Sequence, residues 1–486
     1  MNAEFLMLLI LLAPLLGAVG IVLTRHNPNV RETVTLVSGG LLFLLVAMLA
    51  STLSWNHPPT LVLAEPFPGL TLALTPEPLS LLFALIASFL WPVTSVYAIG
   101  YMRAHHERHQ TRFYIAFAVS ISATMGIALA GNMLTLFIFY EILTVATYPL
   151  VTHAGTAEAK RAGRIYLGLL MSTSIAFMLL AMVWTWHLAG TLEFTRGGIL
   201  PPETGGVVLG ALLLLYVFGT GKAALMPFHR WLPAAMVAPT PVSALLHAVA
   251  VVKAGVFTVM KVAVYIFGID LIGTMAAADW LAYIAGFTIL AASLVAMTQD
   301  NLKARLAYST VSQLGYVVLG AMLGAAAGVI GGSMHIAMHA FGKITLFFCA
   351  GAIMVAAHKT KVSELNGLGR RMPLTMLAFL LGALSIVGLP PLGGTWSKWL
   401  LVQGTLDTHM WLLTAVLLIS SLLNIAYLLA IPARGFFAKP SEHAAQEGVK
   451  EAPLPSLLAI GVTASGCILL FFLSEPLYQL TEEILK

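Results

Sequence analysis

The chain consists largely of apolar stretches that are long enough to cross a lipid bilayer and that are joined by short polar loops. A helix that spans a bilayer needs about 20 predominantly apolar residues. Helices are the expected form because no water inside the bilayer can satisfy exposed backbone N–H and C=O groups. Charged residues make up 9% of the chain, against about 25% in soluble domains. The sequence therefore predicts an all-α polytopic membrane protein with about fourteen transmembrane helices, which start near residues 5, 35, 78, 113, 133, 163, 206, 241, 280, 305, 329, 373, 408 and 454.

Basic residues are concentrated in the odd-numbered loops between these spans. They include Arg25, Arg31, Arg103, Arg108, Arg112, Lys160, Arg161, Arg164, Arg230, Lys303, Arg305, the stretch from Lys359 to Arg371 and the stretch from Arg434 to Lys450. The even-numbered loops are nearly free of Lys and Arg, with Arg196 as the exception. Because Lys and Arg are retained on the cytoplasmic side, both termini are predicted to lie on the outer side of the membrane. That membrane is expected to be the inner (plasma) membrane of a prokaryote. The first span, Phe5 to Leu23, lacks a basic n-region and is expected to be a retained helix rather than a signal peptide.

Two apolar segments are interrupted by prolines and glycines. The helix-breaking residues are Pro227 and Pro233 in the first segment and Pro390 and Pro391 in the second. Proline removes a backbone donor and clashes with the preceding turn. Membrane proteins tolerate such breaks where the freed backbone lines a hydrated cavity, and breaks in corresponding places of two halves indicate inverted repeats. Lys222 and Lys398 accompany the two breaks, which favours this interpretation over purely structural kinks.

The polar stretches are too short to form a soluble domain. The longest, 55–77, 189–205 and 434–452, cannot bury a core of their own. Residues 1–486 are therefore expected to form a single integral membrane domain, made of N-terminal helices 1–3 at 5–101, a first repeat at 113–268, a second repeat at 280–433 and helix 14 at 454–473.

The sequence offers no residues for redox or nucleotide chemistry. Cys349 and Cys467 both lie in apolar runs and cannot build a disulfide framework or an iron–sulfur cluster. The chain has neither a Walker motif nor a dinucleotide fingerprint, so no cofactor is predicted. Its basic residues fall in short loops, which argues against nucleic acid as a partner.

Five charged side chains lie inside otherwise apolar stretches. They are Glu141, Lys222, Lys253, Lys343 and Lys398. Each costs about 2.5–3.5 kcal/mol on insertion scales at the centre of a helix, so such residues are usually paired, hydrated or functional. Burial and a nearby lysine act in opposite senses on the proton affinity of a carboxyl group. Glu141 is therefore predicted to bind and release a proton near neutral pH, with Lys222 as its partner; the alternative is a fixed structural ion pair.

Three histidines are the remaining candidates for proton transfer. His335, His339 and Lys343 follow one another at i, i+4 and i+8, so they stack on one helical face and favour a hydrated proton path. Two histidines at this spacing can share a metal ion, but no third ligand is evident and Lys343 repels a cation, so no metal site is predicted. His247 is interpreted as a proton relay, the alternative being an ordinary buried histidine. Lys261 is expected to extend towards the membrane surface.

Taken together, these residues resemble the antiporter-like subunits of respiratory complex I, membrane-bound hydrogenases and Mrp-type cation/proton antiporters. The resemblance rests on Glu141, Lys222, the segment from Met226 to His247, and the face formed by His335, His339 and Lys343. It covers essentially the whole chain. It implies two inverted five-helix repeats, helices 4–8 and 9–13, with discontinuous helices 7 and 12. It also implies a hydrated axis of charged residues across the membrane interior, in which Glu141 and Lys222 are a coupled pair.

The segment from Val237 to Phe257 is most similar to the D-type subunit of Mrp antiporters. An M-type subunit of complex I usually carries a glutamate where this chain has Lys398. An L-type subunit has a lysine there but also a long C-terminal extension with a lateral helix, so the Mrp type is favoured. The resemblance then implies a proton-translocating subunit of a multisubunit Na⁺/H⁺ antiporter, working with other membrane subunits in the lipid bilayer. The alternatives are a redox-driven proton pump in a complex I-like NADH:quinone oxidoreductase or a membrane-bound hydrogenase, a proton channel that powers an attached enzyme, and a purely structural scaffold.

Overall fold

The structure is a computed structural model that describes residues 2–55, 57–201, 203–439 and 448–486. Within these residues, eleven helices are long and apolar enough to cross a membrane. The predicted all-α polytopic membrane fold is confirmed, and each predicted span starts within seven residues of an observed helix. The helices of nine or more residues in the described part of the chain are α1 (Ala3–Leu23), α2 (Pro28–Thr52), α3 (Pro78–Ala104), α4 (Gln110–Ala128), α5 (Met133–Val151), α6 (Ala157–Ala189), α7 (Gly206–Gly219), α8 (Thr240–Phe267), α9 (Ala276–Thr298), α10 (Leu302–Met322), α11 (Ala326–Ala357), α12 (Pro373–Val387), α13 (Gly394–Asp407), α14 (Trp411–Phe437), α15 (Leu454–Phe472) and α16 (Ser474–Glu482).

Several helices begin at a polar residue whose side chain replaces the missing backbone acceptor of the first turn. Asn27, Asn132, Thr156 and Asn301 each accept a hydrogen bond from the backbone N–H three residues further on. Such a cap contributes about 0.5–2 kcal/mol. The caps therefore fix where α2, α5, α6 and α10 leave their loops, and this sets the registers of α5 and α10 relative to their neighbours.

A β-hairpin lies in the loop between α2 and α3, within the stretch 55–77 that the sequence indicates only as polar. Strands β1 (Leu61–Phe67) and β2 (Leu70–Leu74) are antiparallel. The hairpin is attached to the start of α5, because the hydroxyl of Thr135 accepts a hydrogen bond of 2.9 Å from the backbone N–H of Ala73. It covers the end of the bundle opposite the basic loops.

Helix α11 lies at the centre of the second half of the bundle. It packs against α3, α8, α10, α12, α13 and α15. Tyr97 on α3 donates a 2.9 Å hydrogen bond to the carbonyl of Phe348 on α11, and the two rings stack with centroids 3.9 Å apart. Because neighbours surround α11 on all sides, its polar residues face protein rather than lipid.

The helix is interrupted in both proline-containing segments. After α7 ends at Gly219, a single tight turn, Gly221–Ala223, precedes the short helix Trp231–Ala234, in which Pro233 lies. The indole N–H of Trp231 donates a 3.0 Å hydrogen bond to the carbonyl of Gly221, so one freed backbone acceptor is satisfied. The second interruption contains Pro390 and Pro391 and separates α12 from α13. Gly388 ends α12 with φ +89°, a conformation that favours glycine.

Candidate proton-transfer site

Lys222 lies in the first interruption and is completely buried. Its ammonium donates hydrogen bonds to the carbonyl of Tyr140, at 2.8 Å, and to the hydroxyl of Thr144, at 2.6 Å. It also lies 3.1 Å from the centroid of the Tyr140 ring. A hydrogen bond to a charged group contributes about 1.5–3 kcal/mol, more than one between neutral partners. The ammonium is therefore held by α5 without a carboxylate.

Glu141 and Lys222, which the resemblance implies to be a coupled pair, do not form a direct ion pair in this arrangement. Among the residues that the structure describes, neither carboxylate oxygen of Glu141 has a hydrogen-bond partner, although both are buried. The reason is helical geometry. Tyr140 and Thr144 share one face of α5 at i and i+4, whereas Glu141 points about 100° away from Tyr140. The structure thus places Lys222 beside the helix face adjacent to Glu141.

Lys253 and His339 form the link between the two halves of the bundle. The ammonium nitrogen of Lys253 on α8 lies 2.7 Å from Nδ1 of His339 on α11. Both residues are buried, at 0% and 2% exposure. Two nitrogens at this distance share one hydrogen, so a proton carried by Lys253 is already in contact with an acceptor on α11.

The row continues along α11 towards the second interruption. The ring centroid of His335 lies 5.7 Å from that of His339, and its Nδ1 lies 2.9 Å from the hydroxyl of Ser397 on α13. Tyr316 stacks on His335 with centroids 5.5 Å apart, and the ammonium of Lys398 lies 4.7 Å above the Tyr316 ring. Polar and aromatic groups therefore connect His339 with Lys398.

Lys398 is the member of the row closest to a cavity. Its ammonium donates to the carbonyl of Val387, at the end of α12, and to the hydroxyl of Ser421, both at 3.2 Å. Lys398 and Ser421 line a pocket of about 420 Å³ together with Gly388 and Trp399. The break between α12 and α13 thus supplies both an acceptor and an opening.

Two further predicted residues lie beside the row. Lys343 is buried and donates a 2.6 Å hydrogen bond to the hydroxyl of Ser309, which also accepts a 3.0 Å hydrogen bond from the hydroxyl of Tyr427. His247 is also buried, with its ring 4.6 Å from that of Phe347. In the described part of the chain neither ring nitrogen of His247 has a hydrogen-bond partner. The structure therefore connects Lys343 to α10 and α14 and leaves His247 outside the hydrogen-bonded contacts.

Sequence reasoning missed one acidic residue and misplaced one lysine. Lys261 is not exposed, as a lysine that extends towards the membrane surface would be; it is completely buried, and its ammonium lies 2.5 Å from a carboxylate oxygen of Glu77. Glu77 stands between Pro76 and Pro78 at the start of a long apolar span. An acidic residue at the start of an apolar span, rather than in the middle of a polar loop, could have indicated that Glu77 has a buried partner.

Comparison with known proteins agrees with this architecture. The sequence profile of the family described as "NADH:quinone oxidoreductase/Mrp antiporter, TM" matches residues 130–424. The N-type subunit of the NADH-quinone oxidoreductase from Desulforudis audaxviator is 32% identical over 471 residues, which cover 92% of this chain and 93% of that protein. The A-type subunit of the Na(+)/H(+) antiporter from Alkalihalophilus pseudofirmus is 29% identical over 453 residues, which cover 86% of this chain and 54% of that protein. The chain thus spans nearly all of the first relative and about half of the second.

Two solved structures share the fold over nearly the whole chain. A chain of the membrane-bound sulfane sulfur reductase, an archaeal respiratory membrane complex, superposes with a TM-score of 0.86 at 23% identity, covering 99% of this chain and 98% of that chain. A chain of the Mrp complex from Dietzia sp. DQ12-45-1b superposes with a TM-score of 0.87 at 20% identity, covering 100% and 97%. These likenesses show the fold, and the profile match extends over more than half of the sequence. The chain therefore belongs to the family of transmembrane proteins of NADH:quinone oxidoreductases and Mrp antiporters.

Proposed function

We propose that the chain is the proton-translocating membrane subunit of a multisubunit monovalent cation (Na⁺)/H⁺ antiporter. The proton path comprises Glu141, Lys222, Lys253, His339, His335 and Lys398, with Lys343 and His247 as side members. The 2.7 Å contact between Lys253 and His339 is the observation that supports this function best, because it brings a proton donor and a proton acceptor together across two helices. A relative that belongs to a Na(+)/H(+) antiporter supports the choice of sodium.

Transfer across this contact is chemically simple. The Lys253 ammonium gives its proton to Nδ1 of a neutral His339, and the resulting imidazolium releases the proton on Nε2 to its next neighbour. Nε2 of His339 has no hydrogen-bond partner among the described residues, and the same is true of Nε2 of His335. Since their rings lie 5.7 Å apart, one water molecule between the two histidines would complete the path.

Glu141 acts as the switch in this proposal. Its buried carboxylate lies on the helix face next to the site that now holds Lys222. If the ammonium swings to Glu141, two unit charges about 4 Å apart interact by about 4 kcal/mol at an effective dielectric constant near 20. That energy changes the tendency of Lys222 to give up its proton by about a thousandfold. Movement of Lys222 between Thr144 and Glu141 would thus time proton delivery to Lys253.

The same proposal includes the arrangement of the repeats, the orientation of the chain and its partner subunits. Residues 113–268 and 280–433 form two inverted repeats, each containing one interrupted helix. Both termini lie outside the plasma membrane of a prokaryotic cell, and the basic loops lie inside. Other membrane subunits surround the bundle. Support comes from the paired interruptions near Lys222 and Lys398 and from the alternation of basic loops.

A redox-driven proton pump is the second candidate. The observation that favours it is the relative from Desulforudis audaxviator, which belongs to an NADH-quinone oxidoreductase and matches over nearly the full length of both proteins. In that role the chain would use the same residues, and partner subunits would supply the electrons. Mass spectrometry of the complex, purified in mild detergent through a tag on this chain, separates the candidates. Partners that contain flavin or iron–sulfur clusters indicate the pump, whereas small membrane subunits alone indicate the antiporter.

The transport mechanism is tested by Glu141→Gln and Lys222→Met in the purified complex, reconstituted into vesicles that contain a pH-sensitive dye. A sodium gradient should drive proton movement in the wild type, and each variant should move protons at least about tenfold more slowly. Glu158→Gln, at the exposed start of α6, is the matched control and should transport normally. Wild-type rates in both site variants, in fully assembled complexes, would contradict the mechanism.

A further inference from the structure

Glu77 and Lys261 form a buried ion pair that the proton path described above does not use. The ammonium of Lys261 on α8 lies 2.5 Å from a carboxylate oxygen of Glu77 and 3.3 Å from the carbonyl of Ala130. The pair lies beneath the β-hairpin end of the bundle, because Ala130 is bridged to Leu74 at the end of β2. A buried pair is weak evidence for stability alone, since desolvation offsets much of the attraction.

A cavity at this end of the bundle is lined by the acidic member of the pair. It has a volume of about 410 Å³, and Glu77, Arg196 and Tyr265 are among its lining residues. Tyr265 is 1% exposed, and its hydroxyl lies within reach of the Glu77 carboxylate. A cavity of this size that is lined by Glu77 and Arg196 is polar and roomy enough to hold water.

Lys261 also lies on the same helix as the central member of the proton path. Lys253 and Lys261 are both on α8, at i and i+8, so they are rotated by about 80° around the axis and stand about 12 Å apart along it. Both are completely buried. The helix thus carries both a member of the proton path and one partner of an ion pair whose carboxylate lines a polar cavity.

We infer that the Glu77–Lys261 pair is the site at which the proton path exchanges protons with water on the hairpin side of the membrane. This inference rests on the function proposed above. A proton that arrives from Lys253 through water converts the pair to a neutral carboxyl group beside an ammonium. The carboxyl group then gives the proton to water in the cavity, and the ion pair is restored. A metal cation does not fit this site, because Lys261 already neutralises the carboxylate and Arg196 lines the cavity.

The first test compares Glu77→Gln with the double variant Glu77→Gln/Lys261→Met in reconstituted complexes. Both should slow proton transport at least about tenfold, because each removes the exchanging carboxylate. Glu65→Gln, exposed on β1, is the control. A purely structural pair predicts a different result, in which the neutral double variant assembles and transports like the wild type, and that result overturns the inference. Failure of the proposed function is distinguishable, because Glu141→Gln would then transport normally as well.

The second test measures access and does not depend on removing a buried charge. Thr195→Cys places a thiol at the cavity lining, and Val62→Cys places one on the exposed hairpin outside it; the native Cys349 and Cys467 are buried. The cationic reagent 2-(trimethylammonium)ethyl methanethiosulfonate, applied from the hairpin side, should react with both thiols. It should slow transport several-fold only in Thr195→Cys. Labelling of Thr195→Cys without any change in rate overturns the inference.

Discussion

Gly255 on α8 is the position at which one added methyl group should disturb the site most directly. A Cβ atom at Gly255 would lie 2.3 Å from the backbone nitrogen of Ala223 and 2.3 Å from the carbonyl carbon of Lys222. Real Cβ atoms essentially never approach other heavy atoms within 3.0 Å. Gly255→Ala must therefore move the Lys222 backbone by at least 0.7 Å (3.0 − 2.3), and by 1.1 Å (3.4 − 2.3) if ordinary contact is restored.

A shift of this size is enough to break the contact that holds the lysine. The ammonium of Lys222 now lies 2.6 Å from the hydroxyl of Thr144, and about 1 Å of added separation takes the pair beyond hydrogen-bond distance. Loss of a hydrogen bond to a charged group costs about 1.5–3 kcal/mol. This cost corresponds to about a 10- to 150-fold change in the equilibrium between the Lys222 ammonium bound at Thr144 and the ammonium elsewhere. The overpacking itself costs about 1–3 kcal/mol of folding stability.

The assay is sodium-driven proton movement in vesicles that contain the purified complex, normalised to the amount of complex. Gly255→Ala should transport at least about tenfold more slowly than the wild type. Gly168→Ala is the control, because a Cβ atom there meets nothing within 4 Å, and its rate should be unchanged. If assembled Gly255→Ala transports at the wild-type rate, the reasoning that the position of Lys222 controls transport is refuted. Thr144→Val should reproduce the defect without the clash.

Three further predictions concern the surroundings of the site. Trp231→Phe removes the hydrogen bond to Gly221 and should lower the free energy of unfolding by about 1 kcal/mol. Thermal unfolding measures this loss, and Trp280→Phe, at an exposed position, is the control that should be unaffected. Hydrogen bonds from Ser363 lower the pKa of Asp300 in the loop after α9, so this contact is complete above the ordinary pKa and is lost as pH falls through the lowered value. Asp300→Asn should therefore speed hydrogen exchange of the Ser363 backbone amide near pH 6 and have no effect near pH 2. Equal exchange rates in the variant and the wild type at pH 6 would contradict this explanation. Burial lowers the pKa of His153 in the loop after α5, so the unfolded chain binds the proton first and stability falls as pH drops below about 6.5. His153→Phe should remove that loss between pH 7.5 and 5.5 in thermal unfolding; an unchanged pH dependence would exclude the explanation.

The helices could be predicted from the sequence because a segment that spans the bilayer must have a certain length and must satisfy its own backbone hydrogen bonds, as a helix does. Proline and glycine also indicated the interruption around Lys222 and that around Lys398. The hairpin at Leu61–Leu74 was missed because the helix that holds it in place, α5, lies about 60 positions further along the chain. Local pattern holds no information about such partners.

The candidate site was predictable as a set of residues but not as a set of contacts. Spacing placed His335, His339 and Lys343 on one face of a helix, and the structure has all three buried in α11. Spacing within one helix cannot show that His339 meets Lys253, because that contact depends on how α8 packs against α11. The same holds for Lys222, which the sequence assigns to Glu141, the acid inside an apolar span, whereas helix geometry gives it the carbonyl of Tyr140.

The hairpin has a consequence for the order in which the protein is made. Leu74 is bridged to Ala130, and Asn132, the cap of α5, is bridged to Glu193 beyond α6. The last of these partners is synthesised 119 residues after the hairpin ends (193 − 74), which takes about 6–24 s at about 5–20 residues per second. During that interval the hairpin has no complete docking site, and six helices must enter the membrane before its end of the bundle can close. A nascent chain that stops between α5 and α6 would therefore hold the hairpin through Ala130 and Thr135 but without the closing contact of Glu193.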